Sequence, residues 1–161
     1  MPRRPSIARA LIATAAIGAA VLTAGCGKTQ NDEAPAACLA TPEGYLHALR
    51  SAPAQVRLQG DVAISECLVP EQGGGQLASI GQSMVVAATR LNVAARQDPG
   101  GAATVQLGYL IGAANKGADP IHTDLVRRLN AAARFSATGG TLPASFERAF
   151  GRGYAAGHQS G

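Results

Sequence analysis

Apolar residues recur at helical spacing along most of the chain after residue 38. Between residues 76 and 97 only Arg90 and Arg96 are charged, and the apolar positions follow the spacing of one helix face. These positions are Leu77, Ile80, Met84, Ala87, Ala88, Leu91 and Ala95. The pattern predicts a long central helix that ends at the turn residues 98–101. The apolar spacing of residues 102–116 predicts a second helix, antiparallel to the first because the connection is short.

A shorter helix is predicted near the start of the domain. Thr41 supplies an N-cap hydroxyl, Pro42 suits the first helical position and Glu43 is an early acid. Pro53 ends this helix. Its inward-facing residues are expected to be Tyr45, Leu46 and Leu49.

The C-terminal part of the chain predicts two more helices. Asp119-Pro120 has the pattern of an N-cap followed by proline, and helical spacing continues after it. The apolar positions there are Ile121, Leu125, Leu129, Ala132 and Ala133. A break at Gly139-Gly140 precedes a last helix with an aromatic stripe, whose members Phe146, Phe150 and Tyr154 stand four residues apart. We interpret the stripe as part of the core.

The segment between the first two helices is less regular. Residues 56–59 and 62–65 alternate apolar and polar side chains on either side of Gly60-Asp61. This pattern predicts either a short β-hairpin or an irregular loop. The whole domain is therefore predicted to be mainly all-α, a compact bundle of four or five helices.

The N-terminus has the pattern of an export signal. Arg3, Arg4 and Arg9 precede a charge-free, mostly apolar run over residues 10–24, which is too short to span a bilayer as a mature helix. The run ends in Leu22-Thr23-Ala24-Gly25-Cys26, which resembles the lipobox of bacterial lipoproteins. The resemblance implies that a diacylglyceryl group is attached to the Cys26 thiol and that the chain is cut before this residue. An ordinary secretory signal beside a structural cysteine is the alternative.

These features divide the chain into three parts. Residues 1–25 are predicted to be a signal peptide that is removed, and residues 26–37 a polar, flexible tether without apolar periodicity. Residues 38–161 form one helical domain of ordinary size.

The cysteine count agrees with an oxidising compartment. The chain has three cysteines, so a lipid on Cys26 leaves the pair Cys38 and Cys67. We expect these two to form a disulfide. A redox or metal role is the alternative, but the chain has no Cys-x-x-Cys and no histidine pair at ligand spacing nearby.

Removal of the signal changes the charge balance of the protein. The full chain has a formal net charge of +4, of which three charges come from the signal arginines. The remaining chain is therefore close to neutral. Binding to nucleic acid requires a surplus of basic residues on one face or aromatic platforms for bases, so we expect no nucleic-acid partner.

The sequence contains no recognisable catalytic or cofactor motif. The three histidines, His47, His122 and His158, form no metal-binding spacing, and Asp124 is too close to His122 on a helix to share its face. The glycines form no phosphate-binding loop, so Gly73-Gly74-Gly75 and Gly151-Arg152-Gly153 are interpreted as flexible joints. We therefore expect a non-enzymatic protein without metal or cofactor.

Residues 123–129, together with the Ala, Arg and Gly bias and the single cysteine pair, make the domain similar to small uncharacterised lipoproteins and secreted proteins of high-GC Gram-positive bacteria. This resemblance implies anchoring at the outer face of the cytoplasmic membrane, or on the periplasmic side in a Gram-negative envelope. The function expected is a protein-interaction or assembly module. The alternative is a small-ligand or lipid-binding module, which would need an apolar cavity in the bundle. Its expected lining is Met84, Leu110, Leu129 and Phe150.

Overall fold

The computed structural model describes residues 33–135 and 141–161, and within these ranges the chain is all-α. Its α-helices are α1 (Pro42–Ala48), α2 (Gly74–Gln97), α3 (Ala102–Gly117), α4 (Thr123–Ala132) and α5 (Ala144–Ser160). The prediction of a mainly helical bundle is confirmed. The predicted signal, Cys26 and the break at Gly139-Gly140 lie outside the described residues.

The central helix α2 supplies one wall of the core, as its periodicity predicts. Ile80, Met84 and Ala87 are fully buried, and they pack in one cluster with Leu110 of α3 and Leu129 of α4. Close packing of this kind excludes water from the apolar side chains and is the main source of stability.

The relative directions of the helices follow from their contacts. Gly81 of α2 lies beside Leu125 of α4, and Asn92, further along α2, donates to the carbonyl oxygen of Ala132 at the end of α4. These two helices therefore run parallel. The chain reverses in the short turn between α2 and α3, where the amide of Gly101 donates to the carbonyl oxygen of Asp98 at 3.0 Å.

Helices α3 and α5 pack closely along a line of glycines that we call the glycine seam. Its members are Gly108 and Gly112 of α3 and Gly153 and Gly157 of α5. A Cβ atom at each position would overlap a backbone carbonyl oxygen of the opposite helix. Contacts advance in the same direction along both helices, so α3 and α5 are parallel. Gly151-Arg152-Gly153 is thus inside a helix, and its prediction as a flexible joint is wrong.

The other predicted joint is wrong for a similar reason. Gly74 and Gly75 form the first residues of α2, and only Gly73 lies before the helix. Glycine is tolerated at the start of a helix, where it costs less than in the helix interior.

Residues 56–65 form the irregular loop rather than the β-hairpin. Gly60 and Asp61 both have positive φ, as a primed hairpin turn requires, and the amide of Leu58 donates to the carbonyl oxygen of Val62 at 2.8 Å. The pairing stops there because the amide of Val56 donates to the Tyr109 hydroxyl at 3.1 Å. A hydrogen bond to α3 thus takes the place of the next hydrogen bond between the two strands that a hairpin would have.

The folded part of the chain begins before the predicted boundary at Cys38. Residues 34–40, which we call the strap, lie against α2. Ala34 is buried, its amide donates to the Gln76 Oε1 atom at 2.9 Å, and its carbonyl oxygen accepts from Gln76 Nε2 at 3.3 Å. The Gln76 side chain thus forms hydrogen bonds with both backbone groups of Ala34, which fixes the chain from this residue onward. The predicted tether, residues 26–37, is therefore too long.

Glu71 has a φ of +60°, a conformation that side chains other than glycine adopt at a cost. We predict that Glu71→Gly raises the free energy of unfolding by about 0.5 kcal/mol. Glycine removes the backbone strain of the folded state, but it also increases the conformational entropy of the unfolded chain, which offsets part of this gain. Urea unfolding measures the change. Glu71→Gln, which removes the charge and keeps the strain, is the control and should leave the midpoint unchanged. Equal shifts for both variants would contradict the prediction.

Candidate functional site

A surface groove lies between the end of α4 and the start of α5. It has a volume of about 530 Å³ and is mainly apolar. Its lining residues are Asn130, Ala133, Arg134, Phe135, Leu142, Phe146, Glu147, Phe150 and Gly151. We refer to this feature as the apolar groove.

The α5 wall of the groove is built by the aromatic stripe. Phe146 contacts Phe135 with ring centroids 4.5 Å apart and Phe150 with centroids 5.7 Å apart. The stack continues through Tyr154 to His158. Residues four apart on a helix advance by about 40° around the axis, so the stripe turns gradually away from the core. Phe146 is accordingly buried, Phe150 and Tyr154 are half-buried, and His158 is exposed.

The α4 wall is held in place by Asn92 of α2. Its Nδ2 atom donates to the carbonyl oxygens of Ala132 at 2.8 Å and Arg134 at 2.9 Å. Arg96 also donates to the carbonyl oxygen of Arg134, at 3.3 Å. These bonds satisfy carbonyl groups at the end of a helix, where intrahelical donors are missing. They fix the chain just before Phe135 and therefore set the width of the groove.

Two opposite charges line the groove without pairing. Arg134 stands on the α4 wall and Glu147 on the α5 wall, and neither forms an ion pair within residues 33–135 and 141–161. In the same ranges Arg57, Arg90 and Arg127 each have an acidic partner, whereas the exposed Arg128, Arg148 and Arg152 have none, as is the case for Arg134. The charges at the groove are thus available to a binding partner.

Two larger depressions flank the strap and α1, with volumes of about 710 and 780 Å³. The first is lined in part by four alanines, Ala36, Ala37, Ala40 and Ala48. The second is lined in part by Glu33 and Glu66. Neither contains a phenylalanine, whereas the apolar groove contains three. Aromatic rings provide large contact areas at low entropic cost, so the apolar groove is the stronger candidate for binding.

A buried polar cluster connects His122 to the strap. The amide of Asp119 donates to His122 Nδ1 at 2.9 Å, so the neutral ring carries its proton on Nε2, which lies 3.3 Å from Gln72 Oε1. Gln72 Nε2 in turn donates to the carbonyl oxygen of Cys67 and to Gln76 Oε1. His122 is fully buried. Both ring nitrogens of His122 are engaged in hydrogen bonds within the protein, so neither is free to bind a substrate.

The stability of the protein should depend on pH through His122. Burial lowers the pKa of this histidine below its usual value of 6.5, although the nearby Asp119 acts in the opposite direction. The folded state therefore binds fewer protons than the unfolded state below pH 6.5. We predict that the urea midpoint is highest above this pH and falls as the solution is acidified. His122→Asn, which keeps an acceptor for the Asp119 amide, should reduce the fall; an unchanged slope would contradict the assignment.

The other candidates for chemistry are dispersed. His47 lies in the last turn of α1, His158 lies at the end of the stripe, and Asp124 pairs with Arg127 at the surface. In the part of the chain that the structure describes, no three His, Cys, Asp or Glu residues are grouped as metal ligands would be. In the same ranges, no helix is long and apolar enough to cross a membrane.

The residues predicted to form a disulfide or a cavity lie in different parts of the structure. The sulfurs of Cys38 and Cys67 are 1.99 Å apart, a disulfide distance. Met84, Leu110 and Leu129 are buried in the packed cluster and line none of the depressions described above, whereas Phe150 lines the apolar groove. The predicted lining is therefore divided between the packed cluster and the groove.

Comparison of the chain with protein-family models, curated proteins and solved structures finds no match.

Proposed function

We propose that this protein is a lipid-anchored, non-enzymatic protein of the bacterial cell envelope whose helical domain binds another protein through the apolar groove. The anchor is Cys26, because the segment that ends there has the order of residues found in a lipobox. The disulfide distance between Cys38 and Cys67 agrees with an oxidising compartment outside the cytoplasm.

One observation carries the binding part of this proposal. Met84, Leu110 and Leu129 are buried in the core cluster, while three phenylalanines and a leucine line an open apolar groove at the surface. Leu142 is 44% exposed at this groove. Apolar surface that gathers in one concave place gains free energy when a partner covers it, so such patches are typical of interaction sites.

Mass spectrometry of the protein extracted gently from its own membrane tests the proposal. The denatured mass should correspond to a chain that begins at Cys26 and carries acyl groups. The native mass should contain a second polypeptide. An unmodified chain would overturn the anchor, and a native mass equal to the acylated chain alone would overturn the partner.

A small-molecule ligand is the second candidate function. The volume of the apolar groove, about 530 Å³, lies within the range of small-ligand sites, and its few polar groups could orient a ligand. A low-mass species present in the native spectrum and lost on denaturation would favour this candidate over a protein partner.

A further inference from the structure

The buried polar cluster links a titratable side chain to the strap. His122 Nε2 donates to Gln72 Oε1 at 3.3 Å, and Gln72 Nε2 lies 3.2 Å from Gln76 Oε1, to which it donates. Gln76 in turn forms hydrogen bonds with both backbone groups of Ala34. Successive hydrogen bonds therefore connect the strap to a ring whose charge changes near neutral pH.

The first residues of the strap depend on this cluster for their position. Within the described residues, positions 34–37 form no hydrogen bond to anything beyond the strap except those with Gln76. Gln76 Oε1 accepts from both the Ala34 amide and Gln72 Nε2, so both donors orient its side chain. Positions 34–37 are three alanines and a proline, so little apolar area is lost if they leave α2. The disulfide holds the strap only from Cys38 onward.

A proton on His122 opposes the geometry around its ring. Nδ1 accepts from the Asp119 amide at 2.9 Å, and a protonated Nδ1 would point its own hydrogen at the hydrogen of that amide. The ring also lies immediately before α4, where the positive end of the helix dipole disfavours a cation. Since His122 is fully buried, water does not solvate the charge. The closed cluster thus requires the neutral ring.

The charged groups around His122 leave it one partner for a cation. Gln72, which faces the ring from the start of α2, is uncharged, and the neighbouring Glu71 is exposed to water. The other charged residues of the adjoining segments bond elsewhere: Glu66 to the Ala63 amide, Lys116 to the carbonyl oxygen of Gln159, and Asp124 to Arg127. Asp119 is the charged residue that acts on the ring, and it is exposed. A ring that turns outward therefore gains water and a carboxylate.

We propose that His122, Gln72 and Gln76 form a pH-sensitive latch for the strap. Protonation of His122 in mildly acidic solution turns its ring out of the cluster toward Asp119, and Gln72 and Gln76 then lose their orientation. Residues 34–37 leave α2, while the rest of the domain stays folded. The disulfide keeps Cys38 in place, so the strap closes again when the proton is lost.

In a protein anchored at Cys26, the latch sets the reach of the domain. The closed strap is held from Ala34, eight positions after Cys26, and the open strap is held from Cys38, twelve positions after it. The four additional residues extend the connection by at most about 14 Å. A domain outside the cytoplasm also experiences the pH of the surroundings. This consequence rests on the proposed anchor, whereas the latch itself does not.

Amide exchange in the protein purified from its own membrane, held in detergent micelles, tests the latch. NMR measures the protection of the Ala34 amide, corrected for the intrinsic exchange rate at each pH. We expect this protection to be constant above pH 6.5 and to decrease below it, by up to about tenfold for each pH unit. The amide of the buried Met84 in α2 should keep its protection over the same range.

Two variants assign the pH dependence to the ring. In His122→Asn, which keeps an acceptor for the Asp119 amide, the protection of Ala34 should be independent of pH. Asp119→Asn keeps an N-cap side chain and removes the carboxylate that receives the ring, so the loss of protection should begin at a lower pH. This surface change keeps the test available if His122→Asn fails to fold. His47→Asn, at an exposed histidine of α1, is the matched control and should behave as the wild type.

Each contrary result identifies the step that is wrong. Protection of Ala34 that does not change with pH would overturn the latch. Simultaneous loss of protection at Ala34 and Met84 would also overturn it, because the whole domain would then open. An Asp119→Asn variant that loses protection at the wild-type pH would overturn the role of the ring. The denatured mass of the same material reports acylation of Cys26, so failure of the anchor is recognised separately.

Discussion

Gly153→Ala is expected to destabilise the protein by about 3 kcal/mol, the upper part of the range for overpacked cores. The added methyl group would overlap the carbonyl oxygen of Val105 and crowd the amide of Tyr109. Both atoms belong to the backbone of α3, which cannot rotate away as a flexible side chain can. Relief therefore requires α3 and α5 to separate along the whole glycine seam. Urea unfolding followed by circular dichroism measures the loss.

Gly151→Ala, two residues away in the same helix, is the matched control. Its Cβ atom meets nothing within 4 Å among the described residues, so the substitution changes only the helix propensity. We expect it to raise the free energy of unfolding by about 0.5 to 1 kcal/mol. The two alanine variants should thus have opposite signs. If both variants stabilise the protein, the close packing of α3 on α5 is wrong.

Removal of the disulfide is expected to produce a loss of similar size. The bond joins residues 29 positions apart, and a closed loop of this length stabilises the fold by about 3 to 4 kcal/mol in the chain-entropy treatment. The double variant Cys38→Ala/Cys67→Ala should lower the urea midpoint accordingly. Because the bond also fixes the strap, we expect the hydrogen bonds between Ala34 and Gln76 to be weakened in this variant.

Reduction of the wild-type chain provides the control for this prediction. Reduced wild type should unfold at nearly the same urea concentration as the double variant, since both lack the bond and keep the remaining core. A single Cys38→Ala variant, which leaves an unpaired thiol buried, should be no more stable than the double variant. A double variant as stable as the oxidised wild type would show that the bond contributes nothing to folding.

The sequence predicted the helices well because their signals are local. The apolar spacing of α2 and the N-cap at Thr41 depend on neighbouring residues alone, and both appear in the structure, where the Thr41 hydroxyl accepts from the amide of Gly44. The β-hairpin alternative failed at a long-range contact. The turn of the hairpin is present, but the Val56 amide donates to the hydroxyl of Tyr109, 53 positions away, and is not available to pair with a second strand.

The groove and the seam could be predicted only in part. The aromatic stripe was interpreted as core, whereas Phe146 and Phe150 also form one wall of the groove. Phe135 and Arg134 reach the groove through the packing of α4 on Asn92. The spacing of four between Gly153 and Gly157 is a signal for close helix packing, whereas the prediction at this place was a flexible joint at Gly151-Arg152-Gly153. The buried cluster around His122 gave no signal, since its partner Gln72 lies 50 positions away.

The bond between Cys38 and Cys67 also affects how the protein responds to proteases. The loop between these cysteines includes exposed residues at positions 53–55 and 59–61, which a protease can reach. A single cut there leaves two fragments that remain covalently joined through sulfur. The nicked protein would migrate as one species until a reductant is added. Shedding of the domain from its N-terminal segment by such a cut therefore requires two events, hydrolysis of a peptide bond and reduction of a disulfide.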